Sequence, residues 1–155
     1  MHPATGGVSI LAETTDEPAL LKSAVKLMEV LRWNGPADVE FKIDERDGIP
    51  KLLEVNTRFW GGLDLAIQAG VDFPHLTCEL AVGRDFRVAG DYRVGLRYAW
   101  PFYGLAYARE RPNRWSALWA CVRPDSRTRS DIWLRDPLPS VISLRDLWRG
   151  REPGP

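Results

Sequence analysis

Three polar side chains alternate with apolar ones in "LLEVNTR" (residues 52–58). Glu54, Asn56 and Arg58 occupy every second position of this stretch. Side chains on a β-strand repeat with a period of two, so these three groups would point to the same side of a strand. Carboxylate and amide oxygens are ligands for a hard metal ion, and a guanidinium pairs with phosphate. Such a face can serve solubility alone, and it can also hold a metal and the phosphates bound to it.

A second alternating run precedes this one, and the two runs flank Asp47-Gly48, which is a strong β-hairpin signal. The register of the hairpin decides which residues share a face. A loop of Asp47 and Gly48 alone would set Glu40 opposite Val55, with Glu40 and Glu54 on opposite faces. A three-residue loop, 46–48, with Gly48 in the left-handed conformation, would instead pair Glu40 with Glu54.

The three-residue loop would divide the hairpin into two faces. The polar face would carry Glu40, Lys42, Asp44, Leu52, Glu54, Asn56 and Arg58. The buried face would carry Val39, Phe41, Ile43, Lys51, Leu53, Val55 and Thr57. The β-carbons of Glu40 and Glu54 would then lie about 5 Å apart, which is unfavourable for two carboxylates unless a cation lies between them. Mg²⁺ would be such a cation. The alternative is a solvated face on which Lys42 and Arg58 neutralise the two glutamates.

A longer stretch, "GPADVEFKIDERDGIPKLLEVNTRFWGGLDLAIQAGVDFPHLTCELAVG" (residues 35–83), resembles the C-terminal half of an ATP-grasp domain. The resemblance is to the predicted carboxylate–amine ligase branch, which is related to biotin carboxylase and the carbamoyl-phosphate synthetase large chain. It implies that Glu40, Glu54 and Asn56 bind two Mg²⁺ (or Mn²⁺) ions against the phosphates of ATP. It also implies that Arg58 lies beside the phosphate that is transferred.

The same resemblance implies a function. The chain would be the C-terminal lobe of an ATP- and Mg²⁺-dependent ligase, which activates a carboxylate substrate as an acyl-phosphate for attack by an amine or a similar nucleophile. The N-terminal ATP-grasp lobe, with its phosphate-binding lysine and its hinge against adenine, has no counterpart in the sequence. We expect that lobe to be supplied in cis or in trans, and we expect the 155-residue chain to be inactive alone. The alternative is a non-catalytic remnant that serves as an interaction or folding module.

The helices and strands that we predict around these residues indicate an α+β fold. We expect a mainly antiparallel sheet containing the hairpin (38–44 and 51–58) and a strand at 7–14, with a helix over 17–32 packed on one face. Two short helices are predicted at 63–70 and 73–83. Residues 1–90 would form the ATP-grasp C-terminal lobe. Residues 91–155 would be an extension packed on the same domain, with a possible strand at 91–100, a solvated loop at 123–131 and a disordered tail.

Composition excludes several classes of partner. Lysine plus arginine and aspartate plus glutamate are balanced at 21 each, so the chain has no overall charge to attract nucleic acid or an anionic membrane. No apolar run approaches the roughly 18 residues of a membrane span. Cys78 and Cys121 lack the spacing of a metal or redox motif. We therefore predict reduced cysteines and a cytoplasmic location.

Overall fold

The computed structural model describes residues 9–85, 91–109, 119, 127–132 and 135–149. These residues belong to two compact units, one within Met1–Thr14 and Val94–Pro155 and the other within Thr15–Arg93. The elements in chain order are β1 (Leu11–Glu13), α1 (Pro18–Leu31), β2 (Asp38–Ile43), β3 (Pro50–Asn56), α2 (Leu63–Ala69), α3 (Phe73–Ala81), β4 (Arg97–Ala99), α4 (Pro101–Arg109), β5 (Thr128–Ser130) and α5 (Leu138–Trp148).

The first unit contains a three-stranded sheet in the order β1-β4-β5. Strands β1 and β4 are antiparallel, whereas β4 and β5 are parallel, so the sheet is mixed. The central strand β4 carries the most completely buried residues of the described chain, Tyr98 at 2% exposure and Ala99 at 0%. The Tyr98 ring packs against Trp100 with 4.9 Å between ring centroids. Ile10, Leu96, Phe102 and Leu147 are also buried and complete the described core of this unit.

The second unit contains α1, the β2–β3 hairpin, α2 and α3. Helix α2 buries Leu65 and Ala69 and ends at Gly70, whose φ of 113° favours glycine. Helix α3 begins after Asp72, whose carboxylate accepts a hydrogen bond from the His75 N–H at 2.9 Å. Arg93 is the last residue of this unit. Its N–H donates to the Ala69 carbonyl at 2.8 Å and so attaches the end of the unit to α2.

The α+β class predicted from the sequence is confirmed, and both short helices form within the predicted ranges. The sheet differs from the expectation. The strand predicted at 7–14, described from residue 9, pairs with β4 and not with the hairpin, which forms a two-stranded sheet of its own. The 123–131 segment, expected as a loop, contains β5. In both cases the partner strand is distant in the sequence, and local pattern carries no information about it.

Burial on the hairpin is lower than predicted. Val39, Phe41 and Val55 are half-buried, but Ile43 and Leu53 are each 59% exposed. No residue of α1 is buried. Among the described helices, none is long and apolar enough to cross a bilayer. Cys78 is a free and exposed thiol, whereas Cys121 and the predicted tail from residue 150 lie outside the described residues.

Candidate functional site

The hairpin of β2 and β3 places Glu40 directly opposite Glu54. Asp38 is opposite Asn56 in the same ladder, and Val39 is opposite Val55. Directly opposed residues share a face, so Asp38, Glu40, Glu54 and Asn56 lie together on one side of the hairpin. We call these four residues the acidic face. Glu40 and Glu54 are exposed, whereas Asp38 and Asn56 are half-buried. The pairing of the two glutamates that the sequence predicted is confirmed.

The turn that joins the strands is one residue longer than predicted. The Asp44 N–H donates to the Ile49 carbonyl at 3.1 Å, which leaves a four-residue loop, 45–48. The Gly48 N–H in turn donates to the Asp44 carbonyl at 2.7 Å, and Gly48 has a φ of 67°. The left-handed glycine was predicted correctly, but the three-residue loop was wrong.

A β-bulge compensates for the longer loop. Phe41 pairs with Leu52, whereas Glu40 pairs with Glu54, so Leu53 is the extra residue. Without this bulge, a four-residue loop would set Glu40 opposite Leu53 and move Glu54 to the other face. The bulge therefore restores the register on which the acidic face depends.

The bulge also corrects the predicted faces for two residues. Lys51 is opposite Lys42, and Leu52 is opposite Phe41. Lys51 therefore belongs to the side of the acidic face and Leu52 to the apolar side, the reverse of the prediction. The correction removes a difficulty of the predicted register, which had placed a lysine among buried apolar side chains. The Lys51 ammonium instead forms an ion pair with Asp47 at 2.8 Å.

Two aspartates stabilise the turn. Asp44 accepts from the Arg46 side chain at 2.9 and 2.7 Å and from its backbone N–H at 3.0 Å. Asp47 accepts from the Ile49 N–H and from Lys51, each at 2.8 Å. Hydrogen bonds with Arg46 lower the pKa of Asp44, and hydrogen bonds with Lys51 and Ile49 lower the pKa of Asp47. A cavity of about 490 Å³ lies at this end of the hairpin, and its walls include Lys42, Arg46 and Leu53 but no residue of the acidic face.

The side chain of Asn56 is oriented by its neighbour on the same strand. Its Nδ2 donates to Glu54 Oε1 at 2.7 Å. Because the amide nitrogen is engaged with the carboxylate, the amide oxygen points away from Glu54 and is available as an acceptor or a ligand. A carboxylate and an amide oxygen are thus held side by side at the end of β3.

Arg58 lies two residues beyond the end of β3. Its Nη1 donates to the Phe59 carbonyl at 3.1 Å. Burial raises the pKa of Asp38, and the positive charge of Arg58 opposes this rise. The structure therefore brings all four residues singled out from the sequence, Glu40, Glu54, Asn56 and Arg58, to one region.

Asp38 belongs to this region and was not identified from the sequence. Burial raises the pKa of its carboxyl group; Arg58 lowers it in part, Glu54 raises it further, and a hydrogen bond with Glu40 lowers it. The signal that could have found Asp38 is the same period of two, since it precedes Glu40 by two positions. Across the described residues, no three histidine, cysteine, aspartate or glutamate side chains are grouped closely enough to hold a metal ion.

The segment after the acidic face is packed by aromatic rings. Trp60 and Phe73 meet edge to face, with 5.0 Å between centroids and 81° between planes. A β-carbon added at Gly62 would come within 3.0 Å of Trp60 Nε1, so the absence of a side chain there lets the indole approach the backbone. The Trp60–Phe73 contact joins the loop after β3 to α3.

Comparison with known protein families indicates an ATP-dependent ligase-type domain. A family model described as "ATP-grasp in the biosynthetic pathway with Ter operon" matches residues 5–101, more than half of the chain. The chain therefore belongs to the ATP-grasp family. No curated protein and no solved structure matches the chain.

Proposed function

We propose that the chain is the C-terminal lobe of an ATP- and Mg²⁺-dependent ligase, of the carboxylate–amine type, acting on a carboxylate substrate. The observation that supports this most directly is the pairing of Glu40 with Glu54 on an exposed face, with Asn56 beside them. Two like charges in direct opposition are unfavourable without a cation. A face built in this way is well suited to bind one.

The donor set is the one that Mg²⁺ uses. Two carboxylates and an amide supply hard oxygen ligands, and the remaining positions of a six-coordinate ion can be taken by water and phosphate. We propose Glu40, Glu54 and Asn56 as the ligands of Mg²⁺ (or Mn²⁺) and through it of ATP. When bound, the ion would neutralise the charge of the phosphates during transfer.

The chain's own residues have distinct roles in this proposal. Glu40 and Glu54 would hold the ion through their carboxylates. Asn56 directs its amide oxygen to the ion because its nitrogen is engaged by Glu54. Arg58 is the catalytic residue, whose guanidinium contacts the transferred phosphate and stabilises the charge that develops on the acyl-phosphate. Little covalent chemistry is required of the protein in phosphoryl transfer, so positioning of charge is its main contribution.

The nucleotide needs a second wall. Glu40 and Glu54 are exposed, and water at an open face weakens every electrostatic contact. We therefore propose that an N-terminal ATP-grasp lobe, in cis or in trans, covers the face and that the 155-residue chain alone binds nucleotide weakly and has no ligase activity. A cytoplasmic location is part of this proposal, in keeping with the free Cys78.

The second candidate function is a non-catalytic interaction module. It is favoured by apolar side chains on the hairpin that remain in water, Ile43 and Leu53 at 59% and Leu52 at 47% exposure. A contiguous exposed apolar surface is typical of a docking site. This candidate predicts a folded chain that binds no nucleotide.

Mn²⁺ binding distinguishes the two candidates. Electron paramagnetic resonance measures the concentration of free Mn²⁺ in the presence of the 155-residue chain, with and without ATP. We expect weak binding that ATP strengthens and that Glu40→Gln or Glu54→Gln abolishes. Glu29→Gln on α1 is the matched control and should bind as the parent chain does. Equal MnATP binding by all four chains would show that the acidic face is not the site.

A further inference from the structure

The cavity of about 490 Å³ at the turn end of the hairpin has no role in the proposed function. Its walls include Lys42, Glu45, Ile43 and Leu53, and no wall residue is a member of the acidic face. The volume lies within the range of small-molecule sites, roughly 300–1,000 Å³. The charges and the apolar groups of the walls therefore decide what kind of ligand the cavity can bind.

Three of the charged side chains in the walls are neutralised within the turn. The Asp44 carboxylate accepts from the Arg46 guanidinium at 2.9 and 2.7 Å, so these two residues satisfy each other. The Lys51 ammonium is paired with Asp47 at 2.8 Å. These charges already have partners and would not select a ligand.

Lys42 and Glu45 differ from these three residues. With the part of the chain that the structure describes, neither side chain forms an ion pair or a hydrogen bond. They line the same cavity and carry opposite charges, yet they are not paired with each other. The Asp44 carboxylate could otherwise attract Lys42, but it is engaged by Arg46. The cavity therefore presents one available cation and one available anion that do not meet.

Two apolar side chains lie in the same walls. Ile43 and Leu53 are each 59% exposed. Leu53 is the bulged residue, so no residue of β2 lies opposite it in the ladder. Apolar surface that faces water in a cavity is stabilised when a ligand covers it. A ligand that used every available group of the walls would carry a carboxylate, an ammonium and an apolar body.

We propose that this cavity binds a small zwitterion with an apolar body, which is the chemistry of an aliphatic α-amino acid. Lys42 would pair with the carboxylate of the ligand and Glu45 with its ammonium. Ile43 and Leu53 would cover its apolar side chain. The inference goes beyond the proposed function, because binding here requires neither Mg²⁺ nor ATP and uses no residue of the acidic face.

Leucine and three compounds that each lack one of its features test the proposal. They are titrated into the 155-residue chain without Mg²⁺ or nucleotide and followed by ¹H–¹⁵N NMR. Isocaproate lacks the ammonium, isopentylamine lacks the carboxylate, and glycine lacks the apolar body. We expect leucine to shift the backbone signals of residues 42–46 and to bind more tightly than each of the other three. Absence of leucine binding, or equal affinity for all four compounds, would overturn the proposal.

Two substitutions test the assignment of the charged groups. Lys42→Gln should weaken the binding of leucine and isocaproate roughly fivefold and leave isopentylamine unchanged, because only the contact with the carboxylate is lost. Glu45→Gln should weaken leucine and isopentylamine to a similar extent and leave isocaproate unchanged. Lys26→Gln and Glu29→Gln, at exposed positions of α1, are the matched controls and should bind every compound as the parent chain does. Equal losses for leucine, isocaproate and isopentylamine in either cavity variant, or the same losses in the controls, would overturn the proposal.

Discussion

Glu40 and Glu54 are directly opposed across the hairpin because Leu53 forms a β-bulge between them and the turn. The four-residue loop alone would have separated the two carboxylates onto opposite faces. The loop shifts the cross-strand pairing by one residue, and the bulge shifts it back by one. Together they keep Glu40 and Glu54 on the same face. The register of the acidic face is therefore determined by two irregular features and not by the regular ladder.

Deletion of Leu53 should leave the acidic face intact. A deletion within a strand ordinarily moves every residue beyond it to the other face, but removal of the bulged residue gives a regular ladder in which Phe41 still faces Leu52 and Glu40 still faces Glu54. Cross-strand nuclear Overhauser effects between residues 40 and 54 would check this pairing. Deletion of Val55 is the matched control, since it should move Asn56 to the side of Val39. Loss of the 40–54 contacts on deletion of Leu53 would contradict the assignment of the bulge.

Glu54→Gln should preserve the fold and abolish MnATP binding. Glu54 is exposed, and glutamine retains an oxygen that can accept from Asn56, so the free energy of unfolding should change by no more than about 0.5 kcal/mol. The variant loses one of two negative charges on the proposed ion. Urea unfolding and electron paramagnetic resonance measure the two effects separately. In a longer protein that contains this segment, the same substitution should abolish product formation, and a wild-type rate there would exclude Glu54 as a metal ligand.

Gly48→Ala should destabilise the chain through the backbone alone. Gly48 has a φ of 67°, yet a β-carbon placed there meets no atom within 4 Å. The cost is therefore the conformational penalty of a left-handed L-residue, about 1 kcal/mol. Gly61→Ala is a matched control, because it too has open space but no positive φ. We expect Gly61→Ala to be neutral in urea unfolding; equal effects of the two substitutions would contradict the turn conformation.

Asp47→Asn should weaken the turn at neutral pH but not in acid. Hydrogen bonds lower the pKa of Asp47 in the folded chain, so its carboxylate form is favoured by folding. Its contribution to stability is fully present above the unfolded pKa, near 3.9, and is lost as the pH falls through the lower folded pKa. The stabilities of parent and variant should therefore differ at pH 7 and converge at the acid end. A difference in stability between parent and variant that stays constant from pH 7 to the acid end would exclude the Asp47 contacts.

The residues of the acidic face were largely predictable because their alternation is local, but their pairing was predicted from a three-residue loop that the structure does not contain. A period of two and an Asp-Gly turn define a hairpin, and the family resemblance selected Glu40, Glu54, Asn56 and Arg58 from it. The same alternation extends to Asp38, but alternation does not show which of the carboxylates is half-buried. The burial of each carboxylate depends on the twist of the strands and on the conformation of the loop beyond Asn56. Neither feature can be predicted from a local sequence pattern.

By itself, the sequence determined the elements from β1 to α3, the α+β class and the membership of the ATP-grasp family, but not α4, β5 or α5. Helix and strand periodicity, capping residues and turn glycines act over a few residues and can be read directly. Only the tertiary structure decided the bulge at Leu53, the transfer of Lys51 and Leu52 between faces, and the choice of β4 as the partner of β1. The physical reason is the range of the interactions: the Arg97 side chain bonds Glu13 across 84 positions of sequence, and such a pairing is selected by the packing of the whole unit.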